Sequence, residues 1–417
     1  MNEKWKKNIM LFLASQTVSL FGSSLVQYAI MWYITLNTQS GVMMAISIVC
    51  GFLPTFFLSP FAGVWADRYN RKTLIILSDS LIAISTLILA ILFFMGFDAI
   101  WLLFLMSVIR AIGSGIQTPA IGAMLPQLVP EDKLTKVNGT NGSIQALVML
   151  LSPMLSGALL SMAPLHFIFL IDVITAAIAV SILLFLLKVP AHAKALEKQT
   201  VSYFSDLKKG FEYIKNHDYI KKFFIFCGVF FLLATPASFL TPLQVTRSFG
   251  DDVWRLTAVE VSFSIGMMFG GIIMTAWGGF KNRVYTMTFA SFVFGICTFA
   301  LGIIPVFWIY LAIMILVGIA IPFFNTPSTV LFQEKVEPDF LGRVFGVLGM
   351  ISSSIMPLSM LAFGPLSDIV EIELLLIITG VLLFILSFFL IGNKVLVEAG
   401  KPILRVAAEE PVPKQEL

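Results

Sequence analysis

Twelve mostly apolar runs follow one another along the chain, approximately at 9–36, 42–66, 73–96, 100–124, 142–163, 165–188, 220–246, 257–280, 285–303, 305–330, 344–368 and 371–393. A helix needs about 20 such residues to cross roughly 30 Å of hydrocarbon, rising 1.5 Å per residue. Inside hydrocarbon a backbone satisfies its hydrogen bonds only as a helix or a closed barrel, and runs this long select the helix. Composition agrees: 58% of the residues are hydrophobic and 12% charged, with a mean hydropathy of +0.94, against about 25% charged residues in soluble domains. The reading is an all-α integral membrane protein with twelve transmembrane helices. The first run follows Lys4, Lys6 and Lys7 as a signal peptide would, but its length and its eleven successors make it a membrane helix.

Charge orients the bundle. Of the 27 Lys and Arg, 24 fall at the termini and in loops on the side the termini share, Arg247 and Arg255 fall on the other side, and Arg110 lies within the fourth run. The positive-inside rule then predicts cytoplasmic termini in a bacterial plasma membrane. Cys50, Cys227 and Cys297 each sit in an apolar run, which argues against a disulfide framework, and His166, His192 and His217 have no ligand spacing, so no metal site and no cofactor are expected. The chain has no G-x-x-x-x-G-K-[ST] loop, no nucleophile elbow and no HExxH, so an enzyme reading fails.

The chain repeats itself. QTPAIGAMLPQLVPE at 117–131 returns as NTPSTVLFQEKVEPD at 325–339, a shift of 208, half the chain length. A weaker echo at a shift of 212 sets GVWADRYNRK at 63–72 against TAWGGFKNRV at 275–284, with Asp67 replaced by Gly279. Two pseudo-symmetric six-helix bundles follow, 1–188 and 220–393, with a cytoplasmic loop at 189–219 and a tail at 394–417, and a substrate site between the bundles near the midplane. In the loop, Phe204, Leu207, Phe211 and Ile214 recur at helical spacing opposite Lys208, Lys209 and Glu212, a pattern open to two readings, a surface-lying helix or a solvated linker.

Gly63-x-x-x-Asp67-Arg68-x-x-Arg71-Lys72, between the second and third runs, resembles the loop motif of the major facilitator superfamily, with Asn70 where that family usually has Gly. The resemblance covers the whole chain and is strongest to the macrolide-efflux-type drug:proton antiporters. It implies that Asp67 meets the N-terminus of helix 11, where a carboxylate is worth roughly 0.3–1 kcal/mol, and that Gly63 permits a close helix approach. Arg68, Arg71 and Lys72 would pair with Glu131 and Asp132 to close a cytoplasmic gate. The bland alternative, that these charges only anchor topology, accounts for the basic residues and not for Asp67. In helix 5, Ser152-Pro153-Met-Leu-Ser156-Gly157 is similar to the family's antiporter motif.

A charge at the bilayer centre costs roughly 2.5–3.5 kcal/mol on insertion scales, so intramembrane charges are functional candidates. Arg110, ten residues into its helix, lies about 15 Å deep. Asp79 and Asp172, each seven residues in, lie about 10 Å deep, and either can reach it; Glu260 is near the outer end of helix 8. Two readings stand for Arg110 and its acid, a proton relay or a static ion pair. Gln16, Ser19, Ser23 and Gln27 form a polar stripe on helix 1, suited to a cavity. The family resemblance adds helices 7 and 10 as cavity walls, with Phe230, Phe231, Phe239, Tyr310, Phe323, Phe324 and Asn325. Such residues, in a chain with 39 Phe and 19 Met, suit bulky lipophilic ligands. The expected function is export of lipophilic drugs by proton antiport from a monomer, with small molecules, protons and membrane lipid as partners and no nucleic acid. The alternatives are transport of an endogenous solute such as a siderophore, or a non-transporting membrane sensor.

Overall fold

The computed structural model describes residues 4–130, 133–187, 189 and 211–401. The chain runs through α1 (Lys4–Thr38), α2 (Gly41–Arg68), α3 (Arg71–Phe94), α4 (Ile100–Leu128), α5 (Leu134–Met162) and α6 (Leu165–Ser181), which ends in a π-helical turn (Ile182–Leu186). After the central loop come α7 (Asp218–Phe239, continued past Leu240 by Thr241–Ser248), α8 (Val253–Trp277), α9 (Arg283–Leu301), α10 (Phe307–Lys335), α11 (Pro338–Leu366), α12 (Ile372–Gly392) and a short α13 (Lys394–Ala399). Twelve of these helices are long and apolar enough to cross a membrane. Several overrun their apolar spans: α5 begins at Leu134 and α11 at Pro338, because polar residues beyond the hydrocarbon still continue a helical ladder.

Local chemistry sets the ends. Asn70 caps α3 by accepting from the Thr73 N–H, and Asn282 caps α9 by accepting from Val284, each satisfying an orphan amide. The next residue repeats as well: Arg71 reaches the end of α4, at the Ala123 carbonyl (2.8 Å), and Arg283 reaches Glu334 at the end of α10. The sequence echo at a shift of 212 is therefore a repeat of structure. The family's glycine position, held here by Asn70, serves as a helix cap.

The helices form two six-helix bundles. In the first, α1 packs on α5 and α6, α2 on α4, and α3 on α4 and α6; in the second, α8 and α9 pack on α10, α9 on α12, and α7 on α11 and α12. The bundles meet through α2 against α11 and α5 against α8. One end of the assembly, the terminal face, carries the start of α1 and α13; the opposite end is the far face. Within the central loop, 211–216 is helical; Tyr213 and Ile214 are buried, Phe211 is exposed, and the Tyr213 ring stacks on Phe340 at 4.4 Å. Phe204, Leu207, Lys208 and Lys209 lie outside the described residues.

Candidate transport cavity

Polar positions at helical spacing build the site. Gln16, Ser19, Ser23 and Gln27 on α1 face Arg110, Ser114 and Gln117 on α4, spaced i, i+4, i+7, across a cavity of about 590 Å³ closed on a third side by Asn141 and Gln145 of α5. It runs from Ser47 and Gln27 toward Gln16, Leu125 and Asn141 nearer the terminal face. From the second bundle, Phe239 joins the wall. Other aromatic residues expected there lie elsewhere. Phe230 stacks on Phe324 (5.4 Å, 3° between planes) inside the second bundle, Phe323 packs on Trp277 (5.7 Å), and Phe231 packs against the same core. Tyr310 is fully buried, donating to Gln244 (2.9 Å), and Asn325 is exposed.

The intramembrane charges divide into two environments. Arg110 Nη1 binds Asp172 Oδ2 at 2.5 Å and Thr86 Oγ1 at 3.3 Å, and Nη2 donates to the Ser23 carbonyl at 2.8 Å. Asp172 is 1% exposed and its second oxygen accepts from Ser23 Oγ at 3.2 Å. Asp79 stands apart from this pair. Its Oδ1 accepts from Ser19 Oγ (2.7 Å) and Gln117 Nε2 (2.8 Å), whereas its buried Oδ2 has no hydrogen-bond partner among the described residues. Ser19 and Gln117 line the cavity, so Asp79 lies one side chain behind the wall. Glu260 is partly buried on α8, within electrostatic reach of Tyr28. Thr86 and Gln117 escaped the sequence reading, although Gln117 lies two turns beyond Arg110 on the same face.

The motif residues separate by bundle end. Arg71, buried, donates to the Ala66 and Ala123 carbonyls and to Gln127, and so fastens α2, α3 and α4. Lys72 Nζ donates to the Leu187 carbonyl (2.8 Å) beyond the π turn, satisfying a helix-end carbonyl. Gly63 ends no close approach: a Cβ placed there meets no atom within 4 Å among the described residues. Asp67 and Arg68 occupy the last turn of α2; Glu131, Asp132 and the Asp67 side chain lie outside the described residues.

At the far face the bundles close tightly. Ser156 Oγ donates to the Leu25 carbonyl (3.0 Å), Ser152 is fully buried, and a Cβ at Gly157 would lie 1.9 Å from Thr257 Oγ1 and 3.2 Å from Trp32. The motif around Pro153 thus places small residues where α5, α1 and α8 converge. α2 and α11 also meet closely at their far ends, where a Cβ at Gly41 would lie 2.2 Å from the Gly364 carbonyl oxygen, so among the described residues the far side of the cavity is the closed one.

Two six-helix bundles around a membrane-embedded polar cavity define a multi-pass membrane transporter fold. The profile of the Major Facilitator Superfamily matches residues 12–360, and the chain belongs to that superfamily. It is 30% identical to macrolide efflux protein A of Streptococcus pyogenes over 92% of this chain and 95% of that protein, and 24% identical to the staphyloferrin A transporter of Staphylococcus aureus over 92% and 96%. Among solved structures, a POT family transporter in complex with a thioalcohol-conjugated peptide superposes with a TM-score of 0.73 at 14% identity, covering 92% of this chain and 95% of that one.

Proposed function

We propose that the chain exports lipophilic drugs, macrolide antibiotics foremost, by proton antiport and alternating access. The observation that carries this reading is Asp79: a buried carboxylate oxygen without a donor, one side chain from the cavity, beside an Arg110–Asp172 pair whose oxygens are satisfied. A buried charge is costly unless it is fully paired, and taking up a proton is the smallest change that removes the charge from this site. The similarity to macrolide efflux protein A supports the substrate class. The test is drug accumulation in everted vesicles. Uptake of a macrolide that collapses with a proton uncoupler is expected; uncoupler-insensitive uptake rejects the antiport. Solute transport of the siderophore type is the second reading, supported by the relative that transports staphyloferrin A; uptake of a ferric siderophore and not of macrolide in the same vesicles would favour it.

Within this reading Asp79 loads and releases the proton, and the Arg110–Asp172 pair holds α1, α4 and α6 in register beside it. Asp79→Asn keeps the size and an acceptor for Ser19 while removing the titrating group. Membrane levels are expected to stay near normal and uphill export to fall at least tenfold. Export at the wild-type rate would remove Asp79 from the coupling.

The excess of basic residues on the terminal face supports a cytoplasmic terminal face; in this reading the cavity opens inward and drug enters from the cell or the inner leaflet. A cysteine at position 208 is expected to resist an impermeant reagent applied to intact cells and to react once the membrane is opened. Labelling from outside would invert the map.

A further inference from the structure

At the far face one carboxylate ties the two bundles together. Asp368, just beyond the end of α11, accepts from the Gly41 N–H at 2.7 Å and the Val42 N–H at 3.0 Å, the first amides of α2, and from Ser40 Oγ at 2.8 Å. Arg247, at the end of the α7 continuation, donates to the same carboxylate at 2.7 Å, to the Ser367 carbonyl at 2.6 Å and to the Gln39 carbonyl at 2.5 Å. These groups join the two bundles: Gln39 to Val42 come from the first, Arg247, Ser367 and Asp368 from the second. Burial alone would raise the Asp368 pKa, but the Gly41 and Val42 amides, Ser40 and Arg247 together hold it below the usual carboxylate range, so it stays ionised at neutral pH. Beneath it, Gly364 of α11 brings its backbone against Gly41 of α2: a Cβ at Gly41 would lie 2.2 Å from the Gly364 carbonyl oxygen.

This arrangement has a counterpart in the sequence. Gly364-Pro-Leu-Ser-Asp368 repeats the spacing of Gly63-Val-Trp-Ala-Asp67. Both lie at the C-terminal end of a helix at the bundle interface: Gly63–Asp67 in the last turns of α2 at the terminal face, and Gly364–Asp368 in the last turn of α11 and just past it at the far face. A carboxylate at a helix N-terminus is favoured by the free amides and the helix dipole, and Asp368 supplies one to α2.

We propose that Gly364-x-x-x-Asp368, with Arg247, is a second gate: the far-face equivalent of the Gly63-x-x-x-Asp67 motif, engaged when the cavity faces the terminal side and released when it faces outward. It rests on the alternating-access reading. In a transport cycle Asp368 then locks the far face on the N-terminus of α2, and opening that face requires breaking this lock; the family resemblance implies the corresponding role for Asp67 at the terminal face.

The test is distance measurement by double electron–electron resonance on the full-length protein in lipid, in a background with Cys50, Cys227 and Cys297 replaced. One label pair sits at the far face, at Asn37 and Glu371, and another at the terminal face, at Tyr69 and Glu337. Wild type is measured at acidic and alkaline pH, with and without a macrolide, and is expected to show two populations at each pair. Asp368→Asn and, separately, Arg247→Gln are expected to move the equilibrium roughly three- to tenfold toward the state with the far pair long and the terminal pair short. If wild type exchanges between two populations and both variants leave their ratio unchanged, the gate is refuted while alternating access stands. If wild type holds one population throughout, both fall. Lengthening of both pairs together in the variants would also refute the gate, because it marks loosened bundles and not an exchange of faces.

Discussion

Replacing Arg110 with alanine is expected to abolish transport and also to lower the amount of folded protein. Arg110 holds Asp172 at 2.5 Å and spans to the Ser23 carbonyl and Thr86, and Asp172 is almost wholly buried. Removing the cation leaves a buried charge facing only hydroxyl groups, and breaking a buried pair from one side costs about 3–5 kcal/mol. Membrane levels and thermal stability in detergent should drop accordingly. The double variant Arg110→Gln/Asp172→Asn removes both charges and keeps hydrogen-bonding groups, so folded yield should recover. If the pair only positions helices around Asp79, the double variant should regain measurable macrolide transport; if its charges take part in coupling, transport stays lost. A single Arg110→Ala variant with normal abundance and stability would contradict the burial argument.

Gly364→Leu is expected to lock the protein with its far face open. A Cβ at Gly364 would lie 2.6 Å from the Gly41 carbonyl oxygen and 2.5 Å from the Ala45 Cβ. The first partner is backbone, so no rotamer change relieves the overlap, and a longer side chain enlarges it. Overpacking of this kind costs about 1–3 kcal/mol or more, which moves a two-state equilibrium about five- to a hundredfold or further. Transport should fall by a similar factor. A cysteine introduced at Ser47, which lines the cavity beneath the seal, should become reactive to an impermeant reagent from outside the cell in the Gly364→Leu background and stay protected without it. Protection in both backgrounds would show that the α2–α11 contact does not close the cavity.

The membrane helices were legible because a hydrocarbon slab imposes a length on every crossing, and the twelve apolar runs match the twelve helices to within a few residues except at α5 and α11, which run on through polar sequence. Depth was legible for the same reason: counting residues placed Arg110 near the level of both acids. Azimuth was not. Two carboxylates at equal depth differ in which helix face they occupy and in what surrounds them, and only packing decides that Asp172 takes Arg110 while Asp79 takes Ser19 and Gln117. The polar stripe of α1 does line the cavity, since polar groups at helical spacing in an apolar helix have few other places to go. Aromatic residues carry no such restriction. Phe230 and Phe324 serve a stacked core as well as they would serve a binding wall, and the family resemblance assigned them to the cavity by helix number without fixing which face of the helix they occupy. Asp368 went unnoticed because an acid in a short outer loop is ordinary; the signal was its spacing from Gly364, visible only beside Gly63 and Asp67.

The proton is the centre of this account, and its movement is directly measurable. Purified protein in proteoliposomes enclosing a pH-sensitive dye, with no ion gradient other than an imposed macrolide gradient, should move protons against the drug flux. The Asp79→Asn variant should pass drug without moving protons or pass none. Macrolide flux in wild type with no accompanying proton movement would contradict the account.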